Sequence, residues 1–366
     1  MSPDRVGGVR YAPHRRATPG GWARRVARRL GERVVVLAYR AGSAALARIP
    51  LAVSIPAARL VFLAAYAGLP GKRRIVHHNA VHVLGLAPDD PRVARHARRV
   101  FGAYARYVVE LMRLPSRPPD EPASLVRAEG PRGIASFADL RARLEAEGRG
   151  LICVSGHIGN IETLAAAFGA RGWPAYALAD DSAYPELYAL LAEQRRRWGV
   201  EVVAWRNLRE IYRALRKPAI LGLLVDWGYR ASDVPVRLFG RWTTLPAGPA
   251  LLAARTGAPI VPVGTWRVSG GFEAEHFEAI EVADASEASI ASASQAVADA
   301  FERIIQRDPV GWYVFKPMWP WTEEESGVLA ARWATITGQP VETKRLDEGG
   351  REAVPLGEQR TLATDR

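Results

Sequence analysis

Apolar and polar positions along this chain change period at about residue 116. From Trp22 to Pro115 apolar side chains recur at helical spacing, with breaks at Pro70-Gly71 and at Leu86-Ala87-Pro88. The run Val93–Leu114 is the most periodic part, and Pro115 stops it. Residues 116–125 are Pro-rich and read as a linker loop. Beyond them, short apolar runs of strand length alternate with helical segments. The pattern predicts strands at Val126–Glu129, Gly150–Ser155, Ala175–Leu178, Glu201–Ala204, Ala219–Val225 and Ile260–Arg267. Between and after these it predicts helices at Phe137–Glu147, Ile161–Arg171, Pro185–Trp198, Leu208–Leu215, Ala247–Thr256 and Ser289–Arg307. Alternation at this spacing predicts an α/β fold with a central sheet covered by helices. The first twenty residues are polar and Pro/Gly-punctuated and read as disordered; the chain after about Glu323 is charged and unpatterned. There is no internal repeat.

Composition narrows the class. The chain has 366 residues, of which 48% are apolar and 24% charged, enough for one large or two ordinary globular domains. The net charge of +12 is carried mostly by arginine, and the Ala/Arg/Gly/Pro bias of the whole chain accounts for part of it. The rest is local: Arg5, Arg10, Arg15, Arg16, Arg24, Arg25, Arg28, Arg29 and Arg33 face only Asp4 and Glu32. Apolar segments at Val34–Tyr39 and Leu46–Leu69 lie beside this cluster. Basic residues next to an amphipathic apolar stretch suit an anionic lipid surface better than a nucleic-acid groove, and no nucleic-acid motif competes. A solvated N-terminal arm is the plainer alternative. Ala41–Leu69 is interrupted by Arg48, Pro50, Pro56 and Arg59, short of the roughly 20 apolar residues a spanning helix needs. The extreme N-terminus lacks the apolar core of a signal peptide. The expectation is a peripheral protein on the cytoplasmic face of the bacterial cell membrane. Cys153 is the sole cysteine, so no intrachain disulfide is expected, and its place in an apolar strand suits a small buried hydrophobe. The histidines show no zinc spacing, so no metal is expected.

The densest chemistry lies at Leu151-Ile-Cys-Val-Ser-Gly-His-Ile-Gly-Asn-Ile-Glu162. A buried strand here delivers His157 to a loop, and Glu162 follows five positions later. On one continuous helix that step turns about 140°, so the two would not share a face. The chain must turn between them; Gly156 and Gly159 permit it, and Asn160 suits the N-cap of the next helix. The arrangement fits deprotonation of a hydroxyl, with His157 as general base and Glu162 orienting it. Taken alone, a lone His beside a core strand is more often a satisfied structural residue than a base. Asp226 stands after the apolar run Ile220–Val225 in the same relation to its strand as His157. It suits an acceptor contact, tuning of His157, or a simple loop cap. Arg195-Arg196-Arg197 closes a predicted helix, either complementing its dipole or clamping a phosphate. In the Gly/Pro-shaped run Leu238–Ala250, Phe239 and Trp242 suit either the wall of an apolar channel or the core.

Assembled in order, these motifs resemble the bacterial lauroyl/myristoyl (lipid A biosynthesis) acyltransferase family, in particular its actinobacterial branch that acylates phosphatidylinositol mannosides. The likeness covers roughly residues 20–320. His157-Ile-Gly-Asn-Ile-Glu162 is similar to the family's H-x4-D/E block, which in this branch reads His-Met-Gly-Asn-Trp-Asp. Ala103-Tyr-Ala-Arg-Tyr-Val-Val-Glu110 resembles its Tyr-Ala-Arg-Tyr-x-x-Glu segment. Pro185–Arg195 with Gly199-Val-Glu201 resembles the next block and singles out Arg195 among its neighbours. Phe239-Gly240 with Leu245–Pro262 is similar to the Phe-Phe-Gly … Pro-Ala-Gly-Pro-Ala … Thr-Gly-Ala … Pro run, and Trp312 falls on a family tryptophan. The chain departs at Asp226-Trp227-Gly228, where the branch has Asp-Arg-Asp, at Leu238, and at Trp312-Tyr-Val-Phe-Lys316, where it has Trp-His-Met-Leu-Gln.

The resemblance implies a glycerolphosphate-acyltransferase-like core, its mostly parallel or mixed sheet flanked by helices. It implies a basic arm over 1–20, a membrane-proximal helical segment over 21–115, an acyltransferase core over 116–321 forming one domain with it, and a flexible tail over 322–366. The implied activity is transfer of a fatty acyl group from acyl-CoA or acyl carrier protein to a hydroxyl of a glycolipid or phospholipid. His157, Glu162 and Asp226 are the implied catalytic residues, and Arg195, Asn160 and Phe239 the implied substrate contacts. No cofactor is implied. The implied partners are an anionic inner-membrane lipid surface, the thioester donor and a glycolipid acceptor, with no nucleic acid. The alternatives are an inactive lipid-binding member of the fold and an acyl-thioester hydrolase.

Overall fold

Every residue of Leu151–Ser155 is buried, the signature of a central parallel strand covered on both faces. The computed structural model describes residues 21–118, 120–180 and 184–338; the arm expected over 1–20 and the chain beyond 338 lie outside the described residues. The N-terminal part is helical: α1 (Gly21–Arg48), α2 (Leu51–Gly68), α3 (Pro70–Leu84) and α4 (Pro91–Arg113). There follow α5 (Glu121–Ser124), β1 (Val126–Arg127), α6 (Ile134–Ala146), β2 (Leu151–Ser155), α7 (Ile161–Gly169) and β3 (Ala175–Ala179). Next come α8 (Pro185–Arg196), β4 (Val200–Ala204), α9 (Leu208–Leu215), β5 (Ile220–Leu224), β6 (Val234–Leu238) and β7 (Arg241–Leu245). The last are α10 (Gly248–Thr256), β8 (Ile260–Val268), β9 (Gly271–His276), α11 (Glu287–Arg307) and α12 (Glu323–Thr337).

The seven-stranded sheet has the order β1-β9-β8-β2-β5-β3-β4, parallel except where β9 runs antiparallel to β8. The expected α/β class with a mostly parallel sheet flanked by helices is therefore what the chain adopts. On one face Ile152, Val154, Leu221 and Leu223 pack against Ile211 and Leu215 of α9, Leu252 of α10, and Phe301 and Ile304 of α11. On the other, Leu151 and Cys153 meet Phe137 and Leu144 of α6 and Leu164 and Phe168 of α7. Cys153 is thus the small core residue its context predicts, and burial pushes its thiol pKa up.

The N-terminal helices dock through α4, whose residues Val93, Ala97, Val100, Phe101, Ala105 and Val109 are buried. Asp90 caps α4 by accepting from the Arg92 amide. Pro50 breaks the helical run earlier than the pattern predicts, and the Arg113 guanidinium donates to the Leu46 and Ile49 carbonyls freed at the end of α1. α2 keeps its apolar side chains outside: Ser54 is its buried residue, while Val53, Leu60, Val61 and Leu63 are exposed.

Some elements differ from the sequence reading. The stretch after Glu323 expected to be unpatterned carries α12, capped by Thr322, whose hydroxyl accepts from the Glu325 amide, and anchored by buried Leu329. Its Glu323-Glu324-Glu325 start looks like a solvated tail but belongs to the first turn, where acids complement the helix dipole. The run around Phe239 is a hairpin: β6 and β7 pair antiparallel with Leu238 opposite Arg241. Phe239 (φ 52°) and Gly240 (φ 69°) make the two-residue turn, both in the left-handed region that a type I′ hairpin requires.

Candidate active site

The register of the two central strands builds the site. Ser155 pairs with Leu224, and the Val225 amide donates to the Ser155 carbonyl at 2.9 Å. Two residues further along each strand, His157 and Asp226 leave the sheet side by side. Imidazole Nδ1 lies 2.8 Å from Asp226 Oδ1, and the His157 amide donates to Oδ2 at 2.6 Å. Trp312 Nε1 donates to the same Oδ2 at 3.0 Å. The Asp226 side chain is 0% exposed and that of His157 41%. A buried carboxylate that accepts on both oxygens leaves Nδ1 as the protonated nitrogen. Nε2 then carries the free lone pair, on a ring that remains partly exposed.

The turn that aims the imidazole has little freedom. A Cβ on Gly156 would lie 2.4 Å from Phe301 Cζ and 2.7 Å from Asp226 Oδ2. Gly159 has φ +58°, and a Cβ there would lie 2.1 Å from the Thr265 carbonyl oxygen. The segment is tied to the C-terminal part of the chain: the Tyr313 amide donates to the His157 carbonyl at 2.7 Å and the Gly159 amide to the Gly311 carbonyl at 3.0 Å. Asn160 is buried, and its side chain accepts from the Thr163 amide at 3.1 Å, capping α7. The structure thus gives Asn160 a capping bond and no exposed face for a substrate.

Electrostatics follow from these contacts. The Asp226 carboxylate raises the His157 pKa against the opposing effect of burial, and Glu162 adds to the rise. Burial works to raise the Asp226 pKa, but the facing imidazole and the donated hydrogen bonds outweigh it and hold it below the ordinary value.

Glu162, the partner expected for His157, turns elsewhere. Arg195 of α8 grips it with both arms of its guanidinium, Nε to Oε2 at 2.9 Å and Nη2 to Oε1. The first turn of α7 carries Glu162 toward α8, whereas sheet neighbourhood puts Asp226 on the imidazole. The orienting role expected of Glu162 therefore falls to Asp226. Burial opposes ionisation of Glu162, but Arg195 wins and its pKa is lowered. Arg195, expected to hold a substrate anion, spends this fork on Glu162; Arg196 pairs with Glu193 and Glu201. Phe239, at the hairpin tip, stands edge-on to Trp319 at 6.3 Å, and Trp319 edge-on to Trp312 at 6.2 Å, an aromatic chain that leads from the hairpin to the site.

Between the sheet and α7 lies a cavity of about 110 Å³. Its walls are small or apolar, with Ala175, Ala177, Ala179 and Gly222 from the strands and Leu164, Ala165 and Phe168 from α7, while Glu162 and Arg195 contribute the charged part of the lining. The buried hydroxyl of Ser155, which has no hydrogen-bond partner, also lines it.

An imidazole held on a buried carboxylate at the carboxyl end of a central strand has the chemistry to accept a proton from a hydroxyl. The profile of the bacterial lipid A biosynthesis acyltransferases matches residues 25–320, and the chain belongs to that family: it is an acyltransferase. Among its relatives is a phosphatidylinositol mannoside acyltransferase of Mycolicibacterium smegmatis, 28% identical over 298 residues, 79% of this chain and 93% of the relative. A protein of the same name from Mycobacterium tuberculosis is 27% identical over 249 residues, 66% of this chain and 75% of its own. Trp312, which falls on a family tryptophan to which the sequence assigns no role, is a donor to Asp226. A fixed C-terminal indole offers no signal from which that bond could have been read.

Proposed function

We propose that the protein transfers a fatty acyl group from a thioester, acyl-CoA or acyl carrier protein, to a hydroxyl of a glycolipid, with phosphatidylinositol mannosides the acceptor class. His157 Nε2 takes the hydroxyl proton as the oxygen attacks the thioester carbonyl. The tetrahedral intermediate collapses with loss of the thiolate, which recovers that proton from the imidazolium, so a C–O bond forms and a C–S bond breaks. Asp226 holds the productive tautomer and stabilises the imidazolium. The amides of His157, Ile158, Gly159 and Thr163 are all engaged, which leaves those of Asn160, Ile161 and Glu162 at the start of α7 to receive the oxyanion. The cavity beneath α7 takes part of the acyl chain, with the Glu162–Arg195 pair fixing the helix that roofs it. The exposed apolar faces of α1 and α2, interspersed with Arg40, Arg48 and Arg59, seat the enzyme on the anionic inner leaflet.

The observation that carries this reading is the bond from Asp226 to Nδ1, which leaves Nε2 as an accessible base. The test is transfer from radiolabelled palmitoyl-CoA, and in parallel from palmitoyl carrier protein, into a polar lipid extract, with His157→Ala run beside the native protein. A labelled glycolipid made only by the native protein supports the reading. Equal labelling by both proteins, no labelling from either donor, or release of free fatty acid regardless of added lipid would overturn it.

A further inference from the structure

Trp227, next to Asp226 in the chain, meets Lys316 from a segment almost ninety residues later. Lys316 Nζ stands 4.8 Å above the Trp227 ring. A Cβ on Gly228 (φ +90°) would lie 2.9 Å from Lys316 Cβ and 3.2 Å from the Pro317 carbonyl oxygen, so an acid at 228 has no room beside this lysine. The Trp227 indole is a platform for the Lys316 ammonium.

The platform is rigid. The Tyr229 amide donates to the Pro317 carbonyl at 2.7 Å. Buried Asn79 of α3 donates to the Lys316 carbonyl at 2.9 Å and accepts from the Met318 amide at 3.0 Å. Arg230 is fixed through Thr244, whose hydroxyl accepts from its amide at 3.1 Å and donates to its carbonyl at 2.9 Å. Lys72 reaches across from α3, its ammonium 3.2 Å from the Phe315 carbonyl.

Partial burial lowers the Lys316 ammonium pKa, Arg230 and Lys72 lower it further, and Asp226 and Asp180 oppose them. Lys316 in turn acts on His157. None of these cations forms an ion pair of 4.0 Å or less with a described residue, although arginines elsewhere on this chain are extensively paired. Like charges held together beside a reactive base raise the energy of the empty protein, and a bound anion relieves it.

We propose that Lys316 on its Trp227 platform, flanked by Arg230 and Lys72, binds a phosphate group of a substrate at the rim of the His157 site. The proposal rests on the acyl-transfer reading for what the phosphate belongs to. The donor carries phosphates in coenzyme A or on phosphopantetheine, and a phosphatidylinositol-based acceptor carries a phosphodiester. Either would be fixed relative to Nε2 by the same cations.

Direct binding separates the sources without turnover. The full chain and its Lys316→Gln, Lys316→Arg and Arg230→Gln variants are titrated calorimetrically with adenosine 3′,5′-bisphosphate, and separately with glycerophosphoinositol. One probe is expected to bind the native protein and to weaken at least tenfold in Lys316→Gln and Arg230→Gln, while Lys316→Arg stays within threefold. Loss confined to the bisphosphate names the donor; loss confined to glycerophosphoinositol names the acceptor. Native affinity for both probes in Lys316→Gln, or no binding of either probe to the native protein, overturns the site. A Lys316-dependent probe in a protein that fails to transfer acyl groups would leave this site standing and sink the acyl-transfer reading instead.

Discussion

Replacing Asp226 by Asn is the sharpest test of the site because the atoms around it decide the outcome. Oδ2 receives two N–H groups, from the His157 amide at 2.6 Å and the Trp312 indole at 3.0 Å, while Oδ1 faces Nδ1 at 2.8 Å. An asparagine has one acceptor and one donor end. Placing NH2 at the Oδ2 position would set donor against two buried donors, at roughly 1–3 kcal/mol for each unsatisfied group. The amide therefore settles with its oxygen there and its NH2 toward Nδ1. Nδ1 must then accept, the imidazole proton moves to Nε2, and the base loses its lone pair on the substrate side. A wrong-tautomer histidine in an acyl-transfer site costs about 10⁴ in kcat, and that is the loss expected here. The assay is single-turnover acyl transfer from palmitoyl-CoA as a function of pH. In the native enzyme Asp226 raises the His157 pKa, so activity should climb with pH through a limb lying above 6.5. The residual Asp226→Asn activity should lose that limb or move it lower. Nitrogen-15 resonances of His157 should report Nδ1–H in the native protein and Nε2–H in the variant. Activity within tenfold of native, on an unshifted limb, would refute the reasoning.

Glu162→Gln should destabilise the protein by about 3–5 kcal/mol in urea unfolding, because it strands a largely buried Arg195, and Glu162→Gln/Arg195→Met should recover part of the loss. Since the Glu162 pKa is lowered on folding, its contribution is present above the unfolded value of about 4.3 and fades as pH falls through the folded one; Glu162→Gln should flatten that acid limb, and an unchanged pH profile of stability would count against the pairing. Gly159→Ala should lower both Tm and activity, since its φ of +58° and the Thr265 carbonyl both oppose a side chain; native values for both would contradict the geometry. Leu60→Asp/Val61→Asp should reduce co-sedimentation with anionic vesicles by more than tenfold, as each exposed side chain is worth roughly 1.5–3 kcal/mol when buried in lipid. Unaltered sedimentation would place the lipid contact elsewhere.

His157 and Asp226 were both legible because each follows an apolar run that could only be a strand. Their partnership was not. Glu162 is five residues from His157 in the chain and Asp226 sixty-nine, but strand order decides contact, and nothing in an apolar run says which other run lies beside it. The β6–β7 hairpin was missed because its turn places Phe239, instead of Asn or Gly, in the left-handed region, a strain borne by the packing of Phe239 on Trp319. The β9 strand, Gly271–His276, was missed because Glu273 and Glu275 mask its alternation; those acids meet Arg307 instead of water alone. The Glu162–Arg195 pair was half visible, with Arg195 chosen from its triplet but aimed at a ligand.

β5 enters the sheet between β2 and β3, which it separates although they follow one another along the chain. A nascent chain emerging from the ribosome can shape the α7 crossover first, but it then holds an open slot where β5 belongs. His157 gains its carboxylate only when that later strand threads the slot, and the carboxylate gains its indole only after Trp312 arrives, close to the end of the family match. Such long-range closure folds slowly. It also means that an incomplete or half-inserted chain carries His157 without Asp226 and Trp312 beside it, so the cluster exists only in the finished sheet.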